Sequence, residues 1–127
     1  MPDVTMLLMA AVLAIPQGRW TEIGKTSTGN LVYLDLKTVR TTDGIVSAAV
    51  RITFTEPIKV PNGKVTSSRA LAKFDCAKRQ VAVIENVMYT DEKAGAVYQR
   101  SAPKIPGYGP VFTSNFSGVA LAYLCKK

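Results

Sequence analysis

The chain has 127 residues, of which 47% are hydrophobic, enough for one domain with a real core and too few for a second. Lys and Arg number 16 against 9 Asp and Glu, and with no His the net charge of +7 scarcely changes between about pH 5 and 8. A permanently basic surface favours acidic partners such as nucleic acid, anionic lipid, sulfated glycan or an acidic protein patch, and it equally serves to keep a small protein soluble.

Met6 to Ile15 is an unbroken apolar run, far short of the roughly 20 residues that span a bilayer. It reads as the apolar region of a secretory signal. Val12-Leu13-Ala14 offers small residues at the spacing a signal peptidase needs, and Pro16-Gln17-Gly18 then breaks any helix. The preceding residues carry Asp3 and no Lys or Arg, so either the natural start lies upstream or the segment is a buried N-terminal helix. The expected organisation is a signal segment over 1–18 and a single domain over 19–127. No Cys directly follows the apolar run, so the sequence does not indicate bacterial lipid anchoring, and no transmembrane segment is expected.

Beyond the run, strands predominate. A short first strand is predicted over Arg19 to Ile23, with Trp20 half buried near a sheet end. Thr26 to Asn30 is a turn by composition, Leu31 to Leu36 a compact strand, and Asp35 a candidate cap for a turn over Leu36 to Val39. Asp43-Gly44 signals a hairpin. Val46, Ala48, Val50, Ile52 and Phe54 then alternate with Ser47, Ala49, Arg51 and Thr53, a period-two pattern with one buried and one wet face. Pro57 and Pro61-Asn62-Gly63 mark the next connection. Val65 to Cys76 is a long strand with Ser68, Ala70, Ala72, Phe74 and Cys76 on one side and Arg69, Leu71, Lys73 and Asp75 on the other. Further strands are expected over Gln80 to Tyr89 and Ala96 to Arg100, separated by a turn from Asp91 to Gly95. Ser101 to Pro110, with three prolines and two glycines, reads as a linker. Phe116, Val119, Ala120, Tyr123 and Leu124 fall at helical spacing, with Thr113, Ser114 or Asn115 as N-cap.

Cys76 and Cys125 are the only cysteines, so each is the other's sole intramolecular partner. If paired, they close a loop of about 50 residues and stabilise the fold by about 4 kcal/mol on the chain-entropy model. An exported chain favours the disulfide; two reduced buried thiols are the alternative. A redox or nucleophilic role lacks both a Cys-x-x-Cys motif and a His base. Other chemistry fails likewise. Gly24-Lys25-Thr26 resembles the end of a phosphate loop, but the motif needs Gly at position 19, where Arg19 stands. A zinc site would lack His, and no spacing singles out a catalytic pair among Asp35, Glu56, Asp75, Glu85 and Asp91. No cofactor is expected.

Arg51, Lys59, Lys64, Arg69, Lys73, Lys78 and Arg79 gather around the long strand, its ends and its neighbour. They are the candidate binding residues. A reader of single-stranded nucleic acid needs exposed aromatics between its charges, and Phe74 points to the other face, so a protein or acidic glycan is expected and nucleic acid is not.

Taken in order and spacing, Trp20, the Leu31-Val32-Tyr33-Leu34-Asp35 strand with Thr38-Val39-Arg40 after it, Phe74-Asp75-Cys76, and a terminal helix ending in Cys125 resemble the surface-adhesin protein E-like family of small Gram-negative envelope proteins. The resemblance covers residues 19 to 127. It implies an α+β fold: an antiparallel sheet of about six strands, with the C-terminal helix fastened to its concave face by a Cys76–Cys125 disulfide. It also implies a capacity to form homodimers through the sheet. The family's best-known member is a surface lipoprotein that binds host matrix and serum proteins, including laminin and vitronectin. The expectation is therefore a non-enzymatic, exported binding protein of the periplasm or cell surface. The alternative is a periplasmic module holding a small ligand between helix and sheet, where Phe116, Tyr123 and Phe74 would meet.

Overall fold

The computed structural model describes residues 19–126. The apolar run predicted to be a signal lies outside them. Seven strands, β1 (Thr21–Lys25), β2 (Leu31–Thr42), β3 (Ile45–Val60), β4 (Gly63–Asp75), β5 (Gln80–Asp91), β6 (Ala96–Ser101) and β7 (Gly109–Pro110), precede the helix α1 (Phe116–Leu124). The first six form one antiparallel meander in sequence order, and β7 pairs with the start of β5. The antiparallel sheet of six principal strands with a C-terminal helix is the architecture expected from sequence. Tight turns set its hairpins: Asp43 and Gly44 both take positive φ, as does Asn62 beside Gly63.

Local differences from the sequence expectation have local causes. The first strand begins at Thr21 rather than Arg19. The turn expected over Leu36 to Val39 is an irregularity inside β2, where the register with β3 slips between Asp35 and Arg40. Asp35 holds it as anticipated: its Oδ1 accepts from the Lys37 N–H at 3.2 Å, and its carbonyl accepts from Thr38 Oγ1 at 2.6 Å. Pro57 does not end β3. The register with β4 slips between Thr53 and Ile58, so a residue without an N–H sits where the ladder is already broken and the strand continues to Val60. The Ser101 to Pro110 linker ends in the Gly109–Pro110 pairing with Gln80 and Val81, at the sheet edge where proline is tolerated.

The alternation of β3 and β4 decides which face is covered. Val32, Leu34, Ala48, Val50, Ala72 and Phe74 share one face and pack with Ala120 and Leu121 of α1. Alanines at 48 and 72 leave room for the helix to sit close. Asn115 is the N-cap, its Oδ1 accepting from the N–H groups of Ser117 and Gly118 at 3.0 and 3.1 Å. The preceding turn passes so near that a Cβ on Gly118 would lie 2.2 Å from the Phe112 carbonyl oxygen. At the other end Cys125 is disulfide-bonded to Cys76, with their Cα atoms 5.6 Å apart. The predicted pairing is present, and it fastens the helix to the far end of β4.

Candidate functional site

Among the described residues, the opposite sheet face carries no helix. Pairing aligns Tyr33, Arg51, Arg69, Val87 and Arg100 in a row across β2 to β6. Arg51 and Arg69 therefore stand directly opposite each other, where like charges repel. Glu92, in the turn after β5, lies between them. Its carboxylate accepts from Arg51 Nε at 2.9 and 3.1 Å, from Ser67 Oγ at 2.6 Å, and from Arg69 Nε. Burial alone would raise the Glu92 carboxyl, but the hydrogen bonds from Ser67, Arg51 and Arg69, together with the Arg51 charge, outweigh it and hold the group below the ordinary carboxylate range.

Aromatic rings surround this network. The Arg51 guanidinium lies 5.1 Å from the centre of the Tyr33 ring, and that of Arg69 lies 5.3 Å from Trp20 and 5.5 Å from Tyr89. Trp20 is brought here by Arg19, which pairs with the buried Asp35. Arg100 lies 3.8 Å from Glu85. The sequence reading named Arg51 and Arg69 but missed Trp20, Tyr33, Tyr89 and Glu92. Aromatics do lie among these charges, supplied by neighbouring strands and the N-terminal segment rather than by Phe74, which is fully buried in the core.

The predicted basic set does not form one patch. β4 is 13 residues long, about 40 Å at the strand rise of roughly 3.3 Å per residue. Lys59 and Lys64 face each other at its beginning, beside the Asn62 turn. Arg51 and Arg69 lie along its middle, neutralised in part by Glu92. Lys73 is exposed toward its end, and Lys78 and Arg79 occupy the turn beyond.

That last turn is held at three points. Asp75 Oδ1 accepts from the Lys78 N–H at 3.1 Å, Arg79 takes a positive φ of 53°, and its carbonyl accepts from the Val111 N–H at 3.2 Å. Cys76 anchors it to the helix end. Both Lys78 and Arg79 are exposed, and neither forms an ion pair among the described residues. Pairing through Ile45, Asp75 and Gln80 places the Asp43 hairpin at the same sheet end. Arg40, Lys73, Lys78, Arg79 and Lys126 thus gather there against Asp43 and Asp75, so the charge excess is exposed at this end.

The helix-bearing face holds a groove of about 270 Å³ beside Phe116, lined mainly by Val50, Ile52, Phe54, Val83 and Met88, with Ser68 and Asn86 bonded to each other at 2.6 Å. Of the three residues expected to meet at a ligand between helix and sheet, Phe116 lines this groove, while Phe74 belongs to the core against which Tyr123 packs. Among the described residues no cluster of His, Cys, Asp and Glu is arranged to hold a metal, and no helix is long and apolar enough to cross a membrane.

Comparison with known proteins agrees with this architecture. No protein of curated function matches the chain significantly. Crystal form II of Haemophilus influenzae protein E is similar in fold, with a TM-score of 0.58 and 16% identity over 84% of this chain and 87% of that one. The selenomethionine form of that protein gives 0.55 and 15%, over 84% and 85%. Protein E from a non-typeable H. influenzae gives 0.54 and 16%, over 84% and 75%. The model of the family Surface-adhesin protein E matches residues 20–126, essentially the whole described domain. The chain belongs to the surface-adhesin protein E family, a family of cell-envelope proteins.

Proposed function

We propose that this chain is a non-enzymatic, adhesin-like protein that contacts an acidic surface of a partner protein through the basic sheet end built by Lys78 and Arg79. The observation that carries this reading is the combination of charge and rigidity there. Two exposed cations that meet no carboxylate among the described residues sit on a turn whose backbone is held by Asp75, by Val111 and by the adjacent disulfide. A pre-set turn loses little entropy on binding, and free rim charges steer the encounter and set its salt dependence. Lys73 and Lys126 extend the same positive field. Family membership supports the adhesin-like role.

The test is binding to immobilised laminin and vitronectin, the partners implied by the family resemblance, compared with heparin as an acidic glycan. Wild-type protein should bind at least one of the two proteins, with affinity falling as salt rises. Retention by heparin alone would assign the surface to glycan instead. A second reading is favoured by the groove beside Phe116, whose apolar walls and single polar pair suit a small apolar ligand. Native mass spectrometry of freshly purified protein would reveal such a ligand as added mass, which Val83→Glu should remove.

A further inference from the structure

The Glu92 network joins a carboxylate from one hairpin to donors on two central strands. Its receiving half is rigid. Arg51 and Arg69 lie on the central strands β3 and β4, whose pairing with each other is unbroken from Ile45–Asp75 to Thr53–Ser67. The half that supplies the carboxylate is built differently. Glu92 sits in the turn joining β5 to the edge strand β6, which is exposed along its whole length. The β5–β6 pairing slips twice beside that turn, between Met88 and Tyr89 and between Tyr89 and Asp91. Edge hairpins with broken ladders open at lower cost than central strands.

The bonding is also incomplete. Both arginines reach Glu92 through Nε alone, and their Nη groups make no hydrogen bond to another described residue. A guanidinium binds a carboxylate best through two parallel N–H donors, so Glu92 leaves donor capacity unused on a face that no helix or strand covers among the described residues. Arg69 keeps 40% of its side-chain surface exposed while Glu92 keeps 11%. A carboxylate arriving from solvent therefore meets free guanidinium donors before Glu92 has to leave. Trp20, Tyr33 and Tyr89 flank the approach and suit the apolar stem of an acidic side chain.

We propose that Arg51, Arg69 and the Ser67 hydroxyl form a second binding site, for an Asp or Glu side chain of a partner protein, with Glu92 as the resident carboxylate that the partner displaces. The site lies on the open sheet face and is separate from the Lys78–Arg79 turn. Trp20, the only tryptophan in the chain, reports on it directly. The experiment is a fluorescence titration of the whole chain with a short Glu-rich peptide, its Gln counterpart and a heparin-derived oligosaccharide.

Glu92→Gln should bind the Glu peptide about tenfold more tightly than wild type, the scale of one competing charge-assisted contact removed. Glu92→Asp, whose shorter stem reaches the arginines less well, should show a smaller gain and decides the matter if the Gln variant fails to fold. Adding Arg69→Ala to either should abolish the gain, and the Gln peptide should show none. Unchanged or weaker binding by both Glu92 variants would overturn the proposal, as would an equal gain for the sulfated oligosaccharide. The peptide titration and the matrix-protein assay use different probes and surfaces, so either can fail alone.

Discussion

Glu92 balances three donors on one carboxylate, and its titration has a definite sign. Its folded-state pKa lies below the value of 4.5 taken for the unfolded group, so the folded chain holds fewer protons there over the interval between the two. The contribution of Glu92 to stability is complete above the unfolded value and is lost as pH falls through the lower folded one. We expect the urea midpoint of wild type to exceed that of Glu92→Gln by a constant margin between about pH 7 and 5, and the margin to shrink below about pH 4.5. A margin that widened on acidification would contradict this sign. Residues of this kind are hard to find from sequence. Arg51 and Arg69 were legible as wet-face charges of alternating strands. Glu92 sits in a run of turn-forming residues that reads as solvent-exposed, and only the folded hairpin brings it over Ser67 and the arginines.

Among the elements, β3 and β4 were legible because their period-two alternation is long, and the nine-residue helix because Phe116, Val119, Ala120, Tyr123 and Leu124 fall at helical spacing after an N-cap. The slips in β2, β3 and β5 were not, since an inserted residue in a ladder leaves no mark in composition. That is why the cross-sheet row from Tyr33 to Arg100 escaped the sequence reading. The helix offers two tests. Alanine normally favours a helix over glycine by about 1 kcal/mol, but at position 118 its Cβ would strike the Phe112 carbonyl. Gly118→Ala should therefore lower stability by about 2 kcal/mol or more by chemical denaturation; a stabilised variant would mean that the turn before α1 yields freely. The disulfide closes a loop with a sequence separation of 49 and should contribute about 4 kcal/mol. Cys125→Ala should lose most of that margin relative to wild type under oxidising conditions and almost none of it when both are reduced. An equal midpoint in both conditions would remove the cross-link from the account of stability.

At the scale of the whole molecule, the basic side chains divide into those that meet a carboxylate of the chain and those that meet none among the described residues. Arg19, Arg51, Arg69 and Arg100 are met by Asp35, Glu92 and Glu85. The cations around the Cys76 turn are not neutralised in this way. This separation was invisible in the sequence, which placed the seven candidate basic residues around the long strand, its ends and its neighbour without showing which of them meet a carboxylate. We further propose that segment 1–18 directs export and is removed. The intact mass of protein recovered from its own cells and alkylated without reduction should then match a chain starting between Ile15 and Trp20 with no alkyl group added. A mass retaining the segment and carrying two alkylated thiols would contradict both export and the disulfide. The central claim, that the disulfide-anchored basic end makes the contact, is tested most directly by comparing wild type with Lys78→Ala/Arg79→Ala for binding to the immobilised partner protein across a salt series. The double variant should fold with an unchanged thermal midpoint, bind about tenfold more weakly at low salt, and show a flatter salt dependence. Unchanged affinity and an unchanged salt slope would place the contact elsewhere on the molecule.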